Sequence, residues 1–239
     1  QCSLDILGQV DKYPALDEKA ELNSLLVQGG GPVATALVAL SRLGVPVAIV
    51  GAVGDDDFGR QIHEELVREN VDCTYLIQSP HGSSQVAFVT VDAQGHRNIF
   101  WHRGTVIPVV PERLSDLFTH SARILHLDGL HLDPAIAAAK LARRQAVTTV
   151  LDAGTLRPGI EDLLPFIDHL VVSEKFARQF IGKDDPEAAI RGLLSYGAVA
   201  VTVTMGHSGS LSMGKGVPSI HQPAFAVKTI DTTGCGDVF

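Results

Sequence analysis

Near the end of the chain, Thr232-Thr233-Gly234-Cys235-Gly236-Asp237 sets three small residues beside a carboxylate. A turn built from Gly234, Cys235 and Gly236 lets successive backbone N–H groups converge on one concavity, and a helix starting there adds its positive end to the field. Such a cradle holds an anion, above all a phosphoryl group in transit. Asp237 is placed to take the proton of a hydroxyl whose oxygen attacks phosphorus, while the amides stabilise the charge that develops. The same letters also spell a loop with a capping aspartate, and spacing alone leaves both readings open.

Three further stretches offer chemistry. Gly29-Gly30-Gly31 follows a strand-like segment and opens a helix, where glycine lets backbone approach a ligand closely; a tight strand-to-helix turn explains it equally well. Val201 to Leu211 reads as a buried strand ending in Thr204, with Gly206 and Gly209 in the turn beyond. That is a natural nucleotide edge at the carboxyl end of a sheet strand, or an ordinary hairpin turn. Gly51 to Gly59 lacks the G-x-G-x-x-G spacing of a dinucleotide site, and Asp55, Asp56 and Asp57 would face the pyrophosphate. Both counts oppose a nicotinamide-dependent oxidoreductase.

These residues need elements to hold them. Cys2 to Leu7 is strand-like, with Asp5 near its tip, and Leu22 to Gln28 is a second strand. Val33 to Leu43 is an Ala- and Leu-rich helix closed by Gly44, and Val45 to Val50 a continuous apolar strand. Asp55 is expected to cap the amphipathic helix that runs to about Asn70. T-Y-L-I-Q, S-S-Q-V-A-F-V-T-V and H-R-N-I-F-W-H-R, separated by S-P-H-G and D-A-Q-G, predict a β-meander over 74–103. Beyond 105, strands at 122–127, 147–152, 167–172 and 198–204 alternate with helices at 133–144, near 160, at 174–180 and at 185–195, and 207–229 is β-rich. That alternation implies an α/β fold with a doubly wound, mainly parallel sheet.

Composition agrees. Hydrophobic residues make up 45% and aromatics 5%, so the core is aliphatic, as parallel strands covered by helices require. A net charge of −8 opposes a nucleic-acid backbone or an anionic membrane as main partner. The longest apolar tract, 33–53, is broken by Arg42, Gly44 and Pro46 and does not read as a membrane span. Cys2, Cys73 and Cys235 fit neither a disulfide framework nor a zinc pattern, which points to a reducing, cytoplasmic setting.

Three motifs combine into something more specific. G-G-G-P-V-A-T-A through G-D-D-D-F-G (29–59), V-T-M-G-H-S-G (203–209) and D-T-T-G-C-G-D-V-F (231–239) resemble, in order and separation, the signatures of ribokinase-like (PfkB) carbohydrate kinases. The resemblance covers essentially the whole chain. It implies a Rossmann-like core of 1–7, 29–74 and 105–239 with its C-terminal part missing, and a small β-sheet lid of 8–28 and 75–104. It implies transfer of the γ-phosphoryl group of ATP, with Mg2+, to a sugar hydroxyl under a lid that excludes water. By position, Asp237 resembles the catalytic base, and Gly234, Cys235 and Gly236 the anion hole. Asp5, Gly30 and Gly31 resemble sugar contacts, and Thr204, Gly206 and Gly209 nucleotide-loop positions. Asp231 resembles a residue that in some members helps hold a monovalent cation such as K+. A small-molecule sugar and ATP are the implied partners, and family members often form a homodimer through the lid.

The chain departs from the pattern in places. Thr35 stands where G-G-x-x-x-N has Asn. At the N-x-x-E position tied to Mg2+ and phosphate placement, S-E-K-F (173–176) has Ser for Asn and Phe for Glu, leaving Glu174 close by as a metal candidate. L-D-A-G-T-L-R-P (151–158) resembles the D-x-N-x-R-P of 2-keto-3-deoxygluconate kinases. Arg157 then contacts phosphate or an acidic substrate, or is simply a surface residue before Pro158. His102 and Arg103, at the lid–core junction, are candidates for substrate contact, while the other histidines show no metal spacing. The expectation is an ATP-dependent sugar kinase. A nucleoside kinase of the same fold is the near alternative, and a catalytically impaired sugar-binding homologue the distant one. Because two residues beyond Asp237 are too few to nucleate the helix an anion hole borrows its field from, the chain reads as truncated at its C-terminus, slightly so at its N-terminus, and poorly active alone.

Overall fold

The computed structural model describes residues 1–107, 122–228 and 232–239. Contacts divide the chain into two compact units, Gln1–Val109 with Thr229–Phe239, and Val110–Lys228.

The first unit begins with β1 (Ser3–Gln9), β2 (Ser24–Gly30), α1 (Pro32–Arg42), β3 (Ala48–Gly54) and α2 (Asp57–Arg68). It continues with β4 (Asp72–Ser79), β5 (Val86–Val91) and β6 (Arg97–His102). One sheet has the order β2-β1-β5-β6, with β1 antiparallel to β2 and parallel to β5. Cys2, Leu4, Val33, Leu37, Ile49 and Ile62 form the buried cluster under α1 and α2. The 10–23 loop is pinned by Tyr13, whose hydroxyl donates to Thr90 O at 2.6 Å and accepts from Asn98 N–H at 3.1 Å.

Two expectations change here. The strands of 74–103 are not one meander: β4 pairs in parallel with β3, because the crossover through α2 returns the chain beside the strand it left. Of the strands in this stretch, only β5 and β6 form an antiparallel hairpin. The α2 cap is Asp56 rather than Asp55. Asp56 Oδ1 accepts from Gly59 N–H at 2.8 Å, whereas Asp55 accepts from the Gln78 amide at 2.9 Å.

The second unit contains β7 (Ile124–Leu127), α3 (Leu132–Arg144), β8 (Thr148–Ala153), β9 (His169–Ser173) and α4 (Glu174–Ile181). Then come α5 (Pro186–Leu194), β10 (Ala200–Thr204), β11 (Ser210–Gly214) and β12 (Ile220–Gln222). Its sheet runs β12-β11-β10-β9-β8-β7. The strands from β7 to β10 are parallel, and β11 and β12 close one edge antiparallel. The parallel part is the doubly wound reading, and its strands bury Leu151, Leu170, Val172 and Val201 against Phe176 and Ile190. The expected helix near 160 is two short 3-10 turns, Ile160–Asp162 and Leu164–Phe166, since Pro165 cannot supply the N–H a longer helix needs. Ser173 caps α4, and Asp185 with Pro186 starts α5. Among the described residues, no helix is long and apolar enough to cross a membrane.

Candidate active site

In the first unit the carboxylate of Asp5 lies directly over Gly30. A Cβ built on Gly30 would stand 2.6 Å from Asp5 Oδ1 and closer still to Oδ2 and Cγ. Ser3 Oγ donates to Asp5 Oδ1 at 2.8 Å. Burial pushes the Asp5 carboxyl above its usual range, and the Ser3 bond acts in the opposite direction. Gly31 has a different task. At φ +95° it caps α1, and a Cβ there would meet Cys2 Cα and Gln1 O at 2.8 Å. Pro32 then supplies a φ already suited to the first helical turn.

One turn into α1, Thr35 N–H bonds to Gly31 O at 2.9 Å. The half-buried Thr35 turns its methyl toward the 232–239 segment, and a Cβ on Gly234 would stand 3.4 Å from Thr35 Cγ2. Gly234 has φ +78°, and the segment turns back on itself there. Cys235 N–H bonds to Thr232 O, Val238 N–H to Gly234 O and Phe239 N–H to Gly236 O, each at 3.2 Å. Gly236 faces open space, Cys235 is exposed, and Asp237 is half-buried with Oδ2 4.0 Å from the Cβ position of Gly234. Asp5, Gly30, Gly31, Thr35 and the Gly234–Asp237 turn thus gather around the start of α1. Asp231 lies outside the described residues. Arg103 stands apart from the group, just past β6, with its guanidinium 5.2 Å from the centre of the Trp101 ring.

The second unit places Thr204 at the carboxyl end of β10, its hydroxyl reaching Val172 O only at 3.5 Å. Gly206 opens a short 3-10 turn and faces open space, while Gly209 has φ +87°. A Cβ on Gly209 would lie 2.8 Å from Ala224 N and closer to Gln222 O, so the crossing of the β12 segment is what demands glycine there. Arg157 is half-buried in the loop after β8, and its carbonyl accepts from Ile160 N–H at 3.2 Å.

Glu174, the first residue of α4, has its carboxylate 3.8 Å from the Arg178 guanidinium. Phe176, standing where N-x-x-E has its glutamate, is fully buried in the aliphatic core. Ser173 Oγ is committed locally: it accepts from Phe176 N–H at 3.1 Å and donates to Gly154 O at 2.7 Å. Among the described residues no three His, Cys, Asp or Glu side chains cluster as a metal site. Mg2+ carried on nucleotide phosphates needs only one or two protein carboxylates, and Glu174 fits that smaller role.

Sequence reasoning missed two partners. Ser3 was findable, because residues two apart on a strand share a face. Glu65, on α2, accepts from Gly29 N–H across a separation that leaves no local signal.

A family model described as pfkB family carbohydrate kinase matches residues 1–239. The chain is 29% identical over 252 residues to ribokinase from Mus musculus, covering 100% of this chain and 77% of that protein. It is 28% identical over 245 residues to the ATP-dependent ribose-1-phosphate kinase of Halopiger xanaduensis, covering 98% and 78%. The structure of Arabidopsis thaliana ribokinase complexed with ribose and ATP matches at a TM-score of 0.85 with 23% identity, over 99% of this chain and 80% of that one. The two chains share the ribokinase-like α/β fold.

Proposed function

Because the chain belongs to the pfkB family of carbohydrate kinases, phosphotransferases that act on a sugar hydroxyl, we propose that it transfers the γ-phosphoryl group of ATP to a hydroxyl of a small carbohydrate, with Asp237 as general base. The observation that carries this is the packing of the Gly234 turn on Thr35 of α1, the helix that opens from Gly31 directly after Gly30 and the Asp5 carboxylate lying over it. The names of the two relatives, one a ribokinase and one acting on ribose 1-phosphate, make a pentose the first sugar to try.

Asp5 accepts hydrogen bonds from sugar hydroxyls, and Gly30 leaves its carboxylate the space to do so. The reacting hydroxyl gives its proton to Asp237 as its oxygen bonds to the γ-phosphorus. The bond from that phosphorus to the bridging oxygen breaks, and ADP leaves with the electron pair. Backbone N–H groups of Gly234 and Gly236 face the charge spread over the transferring group, and Cys235, whose own N–H donates to Thr232 O, holds the turn between them. Thr204, Gly206, Gly209 and Arg157 are the proposed contacts on the nucleotide side. Mg2+, when bound, neutralises phosphate charge, and Glu174 is the described residue that would hold it; Asp231 is the proposed contact for a monovalent cation such as K+.

Residues 8–28 and 75–104 are the proposed lid. The exposed apolar side chains on its sheet, Leu25, Leu26, Phe100 and Trp101 among them, suit contact with a sugar and with a second lid in a homodimer. An ADP-coupled assay over a panel of pentoses, hexoses and nucleosides tests the reaction and the acceptor together. Asp237→Asn should lower kcat by about 10²–10⁴-fold while sugar affinity persists. Undiminished kcat in that variant removes Asp237 as the base, and sugar affinity without ADP release by the wild type removes the kinase.

A further inference from the structure

Two carboxylates flank the glycine run from opposite sides. Successive residues of a strand face opposite ways, and the two neighbours differ accordingly. A Cβ on Gly30 would meet Asp5, while one on Gly29 would stand 2.8 Å from Glu65 Oε2. Asp5 is the proposed sugar contact. Glu65 lies on the other side, and its carboxylate accepts from Gly29 N–H.

The sheet register explains why that N–H is available. Leu4 N–H donates to Gln85 O at 3.0 Å, toward β5. The Leu4–Gly29 pair between β1 and β2 is therefore a non-hydrogen-bonded one, and Gly29 N–H points away from β1. β2 is the edge of its sheet, with no further strand to receive that N–H. Water would satisfy it; α2 instead brings a charged acceptor, which makes the stronger bond.

α2 is firmly held for this task. Ile62 and Leu66, on either side of Glu65, are 1% and 4% exposed. One turn beyond Glu65, Glu69 accepts from Arg42 Nε at 2.8 Å and from Arg42 Nη2 at 2.6 Å. Ser41 Oγ donates to Glu69 O at 2.6 Å. α2 thus grips the far end of α1 and also the strand that leads into its start. The corner between them is made of glycines, whose backbone has the most freedom to lose, so a restraint from outside has the most to do there.

We propose that Glu65 is a positioning residue for the sugar site. It fixes the Gly29–Gly30 peptide from behind and so holds the surface on which the Asp5 carboxylate meets its ligand, without touching that ligand. The inference rests on the reading of Asp5 as a sugar contact and needs no phosphoryl transfer.

Calorimetry with ribose, 2-deoxyribose and fructose picks the sugar the wild type binds most tightly, and ATP is titrated separately. Glu65→Ala should weaken that sugar about 10-fold, the loss of one charge-assisted bond, and leave ATP affinity within about twofold. Glu65→Gln keeps an acceptor oxygen and should regain most of the loss. Gly29→Ala reaches the same contact from the other side, because its Cβ displaces the carboxylate while α2 stays intact. It should match Glu65→Ala, and combining the two should cost nothing more. Amide exchange over 26–36 should quicken in both variants while that over 37–42 does not. Sugar affinity within about twofold of wild type in both single variants overturns the inference. Equal weakening of sugar and ATP, or no sugar bound by the wild type, overturns it as well. Sugar binding that depends on Glu65 without ADP release would leave it standing and remove the kinase reading. ADP release with sugar binding indifferent to Glu65 and Gly29 would do the reverse.

Discussion

Replacing Gly30 with alanine should separate the site from the fold. The new Cβ would stand 2.6 Å from Asp5 Oδ1 and nearer to Oδ2 and Cγ. It collides with the end of a side chain that can rotate, not with backbone. Asp5 must swing away and release the 2.8 Å bond from Ser3, which costs about 1 kcal/mol. Alanine in a strand of ordinary φ returns about 0.5–1 kcal/mol by narrowing the unfolded ensemble. The net change is within about 1 kcal/mol, a Tm shift no larger than about 2–4 °C for a chain of this size. The reaction suffers far more. Two sugar hydroxyls bonded to a carboxylate are worth about 1.5–3 kcal/mol each, so kcat/KM should fall by about 10²–10⁴-fold.

Gly31→Ala is the control. Its φ of +95° and the 2.8 Å approach to Cys2 Cα and Gln1 O are imposed by backbone. Strain of about 1–3 kcal/mol from the conformation alone should lower Tm by about 2–12 °C whatever happens to activity. Thermal melts and the ADP-coupled assay on both variants decide the matter. If Gly30→Ala keeps kcat/KM within about threefold of wild type, a loss of under 1 kcal/mol, Asp5 does not hold the sugar. If it melts as early as Gly31→Ala, the carboxylate does not lie over Gly30.

Other outcomes follow from the same geometry. Burial raises the Asp5 pKa, so the stability linked to its protonated form is complete below the unfolded value of about 3.9 and is lost as pH rises through the folded value. Asp5→Asn, which still accepts from Ser3, should therefore melt above wild type at pH 7, with the gap closing toward pH 4, and should bind sugar more weakly; a gap that widens on acidification contradicts the sign. Cys235 is exposed while Cys2 is buried and Cys73 half-buried, and burial first, then Asp72, raises the Cys73 thiol pKa. Iodoacetamide should abolish turnover by alkylating Cys235, more slowly with sugar and ATP present, and Cys235→Ala should resist it. Full activity in protein alkylated at Cys235 would take this turn out of the reaction path.

What the sequence disclosed depended on how far each signal reached along the chain. The alternation of β7 to β10 with their helices was legible because each strand is a continuous apolar run and each helix repeats every three to four residues. The pairing of β4 was not, because T-Y-L-I-Q carries no mark of whether its neighbour is β3 or β5; the α2 crossover decides that. Asp55 and Asp56 are equally good caps on paper, and only the helix start at Asp57 selects the second. Gly30 and Gly31 look interchangeable in G-G-G-P, yet one clears space for a side chain and the other turns the backbone. The Ser-for-Asn and Phe-for-Glu changes at 173–176 were visible as letters. That Phe176 is a fully buried core residue, leaving no place for a carboxylate, needed the packing.

The first unit is discontinuous, since the 229–239 segment joins residues from the opposite end of the sequence. On the ribosome, Asp5, Gly31 and Thr35 emerge well before the Gly234 turn. At about 5–20 residues per second, roughly 10–40 s pass between them. Throughout that interval the nascent chain owns the proposed sugar wall but not the phosphoryl cradle or its base. A polypeptide released in that interval, by a stalled ribosome or a premature stop codon, would therefore sequester sugar but not spend ATP on it, and competence for the reaction waits until the Gly234 turn is made.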